Sequence, residues 1–268
     1  MAALEAATVS VHYEPMPGRA KLGQHFLQDE AVLARIASAA VAADDTVVEV
    51  GPGRGALTRH LLGIARRVVA VELDAGLAEA LPRHCRSARQ LTVITADILQ
   101  VNLPQVLSEA TRGQSVIVGN LPYYITSPIL RTVFATGGLF RSATFLMQEE
   151  VADRVVATGG SRSFGFLSCL CQLQSRPEKL FRVPPAAFAP PPAVHSAVVH
   201  FDLAGGPPPE GLLGFLSACF RQPRKTLKNN LAARYPQHRL SADPCAGMRA
   251  QQLSLGELRT MWGRLEAP

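Results

Sequence analysis

The chain has 268 residues, 47% of them hydrophobic and 18% charged, which excludes a disordered protein and is enough for one large core or two smaller ones. No uninterrupted apolar run approaches the ~20 residues of a bilayer span. The opening residues, with Glu5 and Glu14 among scattered Ala and Val, lack the basic start and apolar core of a secretory signal. A cytoplasmic protein with no membrane partner is expected.

Strand and helix signals then alternate. Thr46–Val50 is a short β-branched run that stops at Gly51, and a helical stretch follows from Ala56 to about Ile64. Arg67–Glu72 reads as a second strand and Ala75 to about Leu81 as a second helix. Leu91–Thr95, Ser115–Gly119 and Ala143–Gln148 are further buried-strand candidates. This alternation predicts a parallel, doubly wound α/β sheet. Cys169 and Cys171, two apart in an apolar run, read as core positions on one face of a strand. Five cysteines without CxxC spacing support neither a disulfide framework nor a zinc site. His195 and His200, five apart on a predicted strand, would face opposite sides and share no metal.

Five prolines between Pro184 and Pro192 exclude a helix or a central strand there. Val194–Asp202 alternates like a last strand, and 205–209 (Gly-Gly-Pro-Pro-Pro) reads as a linker. Leu212–Phe220, Thr226–Arg234 and Leu255–Leu265 look helical. An α/β domain over 1–203 and a small helical domain over 207–268 follow, with no internal repeat.

The net charge of +6 favours a polyanionic partner, and its distribution says more. Between Gly211 and Leu240 there is no acid, yet Arg221, Arg224, Lys225, Lys228, Arg234 and Arg239 all fall there. A solvated helix face would explain some cations. Six uncompensated ones favour nucleic acid, with Arg221, Arg224, Lys225 and Lys228 as the candidate contacts.

Two motifs carry chemistry. Glu49-Val50-Gly51-Pro52-Gly53-Arg54-Gly55-Ala56 joins the first strand to the first helix, where glycines let the backbone approach a nucleoside cofactor. Glu72 ends the second strand 21 residues after Gly51, placed to accept from ribose hydroxyls. Gly51, Gly53 and Ala56 also satisfy a dinucleotide pattern, so an NAD enzyme competes here. Asp97, beside Ile98 at the third strand's end, could accept from an adenine amino group or simply cap a helix.

The second motif is Asn120-Leu121-Pro122-Tyr123, at the carboxyl edge of the fourth strand. An adenine amino nitrogen is a poor nucleophile because its lone pair is delocalised into the ring. Holding its two N–H bonds with the Asn120 side-chain carbonyl and a backbone carbonyl near Leu121 favours a pyramidal nitrogen aimed at a methyl donor. Pro122 fixes the turn, and Tyr123 offers a ring for stacking, worth ~1–3 kcal/mol. No strong base is needed, so positioning does the work.

With these motifs in order, the chain resembles the ribosomal RNA adenine N6,N6-dimethyltransferase family that modifies the small subunit. The resemblance runs from about Lys21 to Asn230. It covers Lys21-Leu22-Gly23-Gln24-His25-Phe26-Leu27, Glu49–Leu57, Glu72-Leu73-Asp74, Gly119–Tyr123 and Met147–Val151. It continues through Phe188–Val194, Ser196–Val199 and Arg224-Lys225-Thr226-Leu227. It implies a Rossmann-like class I methyltransferase sheet with a small C-terminal helical domain. S-adenosyl-L-methionine would be the cofactor, held by His25, Leu27, Gly51, Gly53, Glu72, Asp97 and Asn120. The family often has Asn where this chain has His25, and histidine can still make one hydrogen bond. Tyr123 and Phe188 would sandwich the target base. The implied partners are small-subunit ribosomal RNA and the assembling small subunit, with two methyl groups transferred to each of two adjacent adenines by a monomer. Large-subunit adenine methylation, a non-catalytic assembly or transcription factor, and DNA adenine methylation are the competing functions. The Phe188–Val194 segment, the intact tetrapeptide and Leu121, respectively, speak against them.

Overall fold

The computed structural model of the chain describes residues 25–85, 89–108, 114–122, 125–203, 206 and 208–267. In chain order it places β1 (Phe26–Leu27), α1 (Glu30–Ala40), β2 (Thr46–Val50), α2 (Ala56–Leu62), β3 (Arg67–Glu72), α3 (Ala75–His84), β4 (Leu91–Thr95), α4 (Leu103–Ser108) and β5 (Ser115–Asn120). Next come α5 (Thr126–Ala135), β6 (Ser142–Gln148), α6 (Glu149–Val156), α7 (Phe166–Gln174), β7 (Arg176–Val183), β8 (Phe188–Ala189) and β9 (Ser196–Asp202). The helices α8 (Leu212–Cys219), α9 (Leu227–Leu231), α10 (Gln237–Ala242) and α11 (Leu255–Glu266) complete the chain.

One sheet has the order β4-β3-β2-β5-β6-β9-β7. The strands from β4 to β6 run parallel, and β9 returns antiparallel to β6. All five residues of β2 are buried, as expected of a parallel strand covered on both faces, which is why β2 reads as an unbroken β-branched run. Chain order runs outward from β2 to β3 and β4 on one side and from β5 to β6 on the other. The neighbours β2 and β5 therefore flank the switch point, the place where doubly wound sheets bind ligands. The fold class read from the sequence is the one observed.

The chain divides into two compact units. One takes the chain to Ala152 and resumes at Glu178; the other takes Asp153–Pro177 and the chain from 205 onward. The segment 153–177, placed with the α/β part on sequence alone, thus belongs with the helical unit. Its Phe164 and Cys169 join the buried cluster of Phe215, Leu216, Leu227 and Leu258. Cys169 and Cys171 lie on helix α7, not on a strand; both are buried, and burial pushes the Cys169 thiol up to about 12. A short, mostly apolar stretch such as Phe166–Gln174 suits either element, and only the packing partner decides. His195 precedes β9 rather than lying in it; its carbonyl accepts from Glu149 N. No helix among the described residues is long and apolar enough to cross a membrane.

Candidate functional site

The glycine loop leaves β2 at Gly51 and enters α2 after Gly55. Gly51 and Gly53 have φ of 64° and 57°, the left-handed region that favours glycine. Gly53 also needs its missing Cβ, which would lie 3.0 Å from the Phe26 ring. The Arg54 guanidinium sits 4.6 Å from the centroid of that ring. Sequence alone marks Phe26 only as a member of the Lys21-Leu22-Gly23-Gln24-His25-Phe26-Leu27 motif.

Glu72 holds this loop. One carboxylate oxygen accepts from Gly53 N at 2.9 Å and the other from Asp74 N at 3.0 Å. Burial raises its pKa, and the backbone N–H groups of Asp74, Gly53 and Leu73 limit the rise. Each carboxylate oxygen has a second lone pair, so the group can bind the loop and still accept from a ribose hydroxyl. Asp97 accepts from Leu99 N at 3.0 Å through one oxygen, capping the short 3-10 turn Ile98–Gln100. The cap uses one oxygen and leaves the other oxygen of the same side chain for the adenine contact expected on sequence.

A two-residue ladder brings distant segments together. β1 pairs antiparallel with β8, Phe26 opposite Ala189 and Leu27 opposite Phe188. Gln28 N donates to Ala187 O at 2.8 Å, extending the clasp. His25 then contacts Pro190 O through Nδ1 at 2.7 Å, and Asn120 Nδ2 donates to His25 O at 3.3 Å. Because the amide nitrogen is committed to His25, Asn120 Oδ1 points elsewhere, and it has no hydrogen-bond partner among the described residues. Leu121 is buried, and its N–H donates to Leu146 O at 3.0 Å, anchoring the tetrapeptide to β6. Pro122 O accepts from Ile125 N at 3.1 Å. Gly119 is required where β2 and β5 meet, since a Cβ there would lie 2.7 Å from Val50 O. Tyr123 lies outside the described residues. Phe188 is 5% exposed and packs in one cluster with Leu27, so its ring faces are covered.

The structure thus gathers His25, Leu27, Phe188 and Asn120 through the β1–β8 clasp, and Gly51, Gly53 and Glu72 through the loop. One further group stands out. Glu49 is buried beside the loop, and its Oε2 has no hydrogen-bond partner among the described residues. A glycine cradle of positive-φ residues, a strand-end carboxylate and an orphaned buried polar atom fit a nucleoside cofactor rich in hydroxyl and amino groups.

Of the six cations in the acid-free segment, two have partners. Arg234 lies 3.7 Å from Glu266, and Arg239 donates to the Leu265 and Ala267 carbonyls. Arg221, Arg224 and Lys225 are exposed and Lys228 is half-buried, and none of the four is paired with an acid among the described residues.

A doubly wound sheet with this loop, a carboxylate at the end of β3 and an Asn-Leu-Pro turn at the switch point defines a class I S-adenosylmethionine-dependent methyltransferase. The family model "Ribosomal RNA adenine dimethylase" matches residues 16–257. The chain belongs to that family. It is 42% identical over 275 residues to the ribosomal RNA small subunit methyltransferase A of Acidobacterium capsulatum, covering 98% of this chain and 94% of the relative. The crystal structure of a dimethyladenosine transferase from Plasmodium falciparum shares the fold, with a TM-score of 0.73 at 23% identity over 88% of this chain and 96% of that one. The 23S rRNA methyltransferase ErmE is similar at a TM-score of 0.69 and 26% identity, over 90% of this chain and 100% of that one.

Proposed function

We propose that the protein methylates the N6 amino groups of two adjacent adenines near the 3′ end of small-subunit (16S) ribosomal RNA, twice each, on the assembling small subunit. The observation that carries the chemistry is Asn120, whose Nδ2 is held by His25 O and whose Oδ1 is left to accept from the target. S-adenosylmethionine supplies a sulfonium-bound, electrophilic methyl group when bound. Gly51, Gly53, Glu72, Asp97, His25 and Leu27 hold that cofactor at the switch point. Asn120 Oδ1 and a backbone carbonyl near Leu121 take the two N–H bonds of adenine and turn the nitrogen lone pair out of the ring plane. Tyr123 and Phe188 stack on the base, which requires uncovering the Phe188 ring. Arg221, Arg224, Lys225 and Lys228 meet RNA phosphates. The protein works as a monomer in the cytoplasm.

The likeness to ErmE makes large-subunit RNA the second reading. Tritiated cofactor offered to under-methylated small subunits, large subunits and DNA separates them: label in the small subunit alone is expected, and label confined to either of the others would overturn the reading.

Glu72→Ala should weaken S-adenosylmethionine binding by roughly 1.5–3 kcal/mol, the scale of one hydrogen bond to a charged group. Titration calorimetry reads it, and an unchanged affinity would take Glu72 out of the site. In the helical unit, replacing Arg224, Lys225 and Lys228 together with Ala should weaken subunit binding. The dependence of log affinity on log salt should flatten by about 0.7–0.9 per lost phosphate contact. Cofactor affinity should hold. Normal binding at every salt concentration would make the segment an ordinary solvated surface.

A further inference from the structure

Between α8 and α9 the chain makes a turn in which Arg221, Gln222, Pro223, Arg224 and Lys225 are all exposed. Three like charges in five exposed residues repel one another, and apolar packing holds only the start of the turn, where Phe220 meets the Phe164 ring edge-on. Across 221–225 one side chain does the holding. Asn230, on α9, accepts from Gln222 N at 3.1 Å through Oδ1 and donates through Nδ2 to Gln222 O at 3.1 Å and Cys219 O at 3.0 Å. The same nitrogen lies 3.5 Å from Lys225 O, and Lys225 N closes the turn onto Gln222 O at 2.9 Å. An amide is the group that can do this, because it offers an acceptor and two donors a fixed distance apart. Its platform is firm: Leu227 and Leu231 are fully buried, and Leu227 N and Lys228 N donate to Met248 O and Ala246 O, each at 2.8 Å.

We propose that Asn230 is a positioning residue for RNA recognition, clamping the 219–225 backbone so that Arg221, Arg224 and Lys225 engage phosphates at the same time. The inference rests on the reading of this segment as an RNA contact. Its physical content is preorganisation. Cations on a fixed turn bind together without an ordering cost, whereas cations on a loose turn bind singly. The number bound together is what the salt dependence counts.

The experiment compares full-length wild type, Asn230→Ala, Gln222→Ala and the Arg224/Lys225/Lys228 triple variant on under-methylated small subunits across salt concentrations. Asn230→Ala should bind about tenfold more weakly, with the salt slope reduced by about 0.7–2. KM for subunits should rise about tenfold at unchanged kcat, and cofactor affinity should not move. Gln222→Ala should behave as wild type, because the clamp bonds to the Gln222 main chain. Asn230→Leu, which keeps the size and adds no charge but loses the acceptor and both donors, replaces the alanine variant if that one does not fold. An Asn230 variant that lowers melting temperature while leaving slope and KM unchanged would show a structural role only and overturn the proposal. If the triple variant also binds normally, the RNA reading of the turn falls, and the clamp with it. A weakened triple variant beside a normal Asn230 variant overturns the clamp alone.

Discussion

Asn120→Ala should lower methyl transfer at least ~100-fold, the scale of one preorganised group lost from a transition state, while leaving the fold and subunit docking in place. The side chain stands at the last residue of β5, where the bond from Leu121 N to Leu146 O on β6 and its own bond to His25 O beside the clasp fix its position from two sides. Truncation removes the Oδ1 acceptor proposed for the adenine N–H, and among the described residues no other side chain shares its place. The structural loss is one hydrogen bond to His25 O, about 1 kcal/mol. The docking proposed for the basic turn does not pass through Asn120, so the variant should still co-sediment with under-methylated subunits. Cofactor affinity should fall modestly, because Asn120 also steadies the His25 backbone. The readout is paired: tritium incorporation and co-sedimentation for wild type and variant. Methylation that survives in Asn120→Ala would rule out the positioning mechanism. Docking without methylation by the wild type, given fresh cofactor, would favour an assembly factor over an enzyme.

What could be read from the chain divides along physical lines. β2, β3 and β5 are short β-branched runs, nearly all buried, and the sequence marks them within a residue of their observed bounds because parallel strands covered on both faces are apolar throughout; β4 at the sheet edge is only partly buried, yet its Leu-Thr-Val-Ile-Thr run is as legible. The loop and Asn120 followed, since they sit where those runs stop. β7 was missed: Arg176, Pro177, Glu178 and Lys179 open it, a sequence tolerated only because it lies at the edge of the sheet. The clasp left no trace at all. Phe188–Ala189 is two residues long within the proline-rich run, and its partner Phe26–Leu27 lies at the other end of the α/β unit's sequence. No local period can announce a ladder so short. Which core the 153–177 segment joins is likewise a tertiary fact, and its apolar run suits both. Asn230 and Glu49 are legible as residue types within motifs. Their roles come from partners made or missing, which sequence does not display.

The missing partner of Glu49 has a consequence in pH. The side chain is 1% exposed, and Oε2 makes no hydrogen bond among the described residues. Burial lifts its pKa from 4.5 to about 8; the Thr58 hydroxyl offsets part of the rise, and the Glu72 charge adds to it. Glu49 is therefore a neutral acid in the fold at pH 7, whereas in the unfolded chain it is ionised. Because the folded value is the higher one, the associated stability is fully present below pH 4.5 and drains away as the pH climbs to about 8. One group contributes a slope of about 1.4 kcal/mol per pH unit across that window, and none above it. Glu49→Gln keeps the shape and the neutrality but cannot ionise in either state. It should match wild type near pH 4, gain on it steadily to pH 8, and hold a lead of a few kcal/mol beyond. Urea unfolding at half-unit pH intervals measures this, and the difference between the two proteins cancels every other titrating group. The slope falls in the range where Cys85, its buried neighbour, is still a thiol, since burial and Glu49 itself push that group up to about 11. Parallel curves for the two proteins would mean that Glu49 is ionised in the fold and has found a partner there.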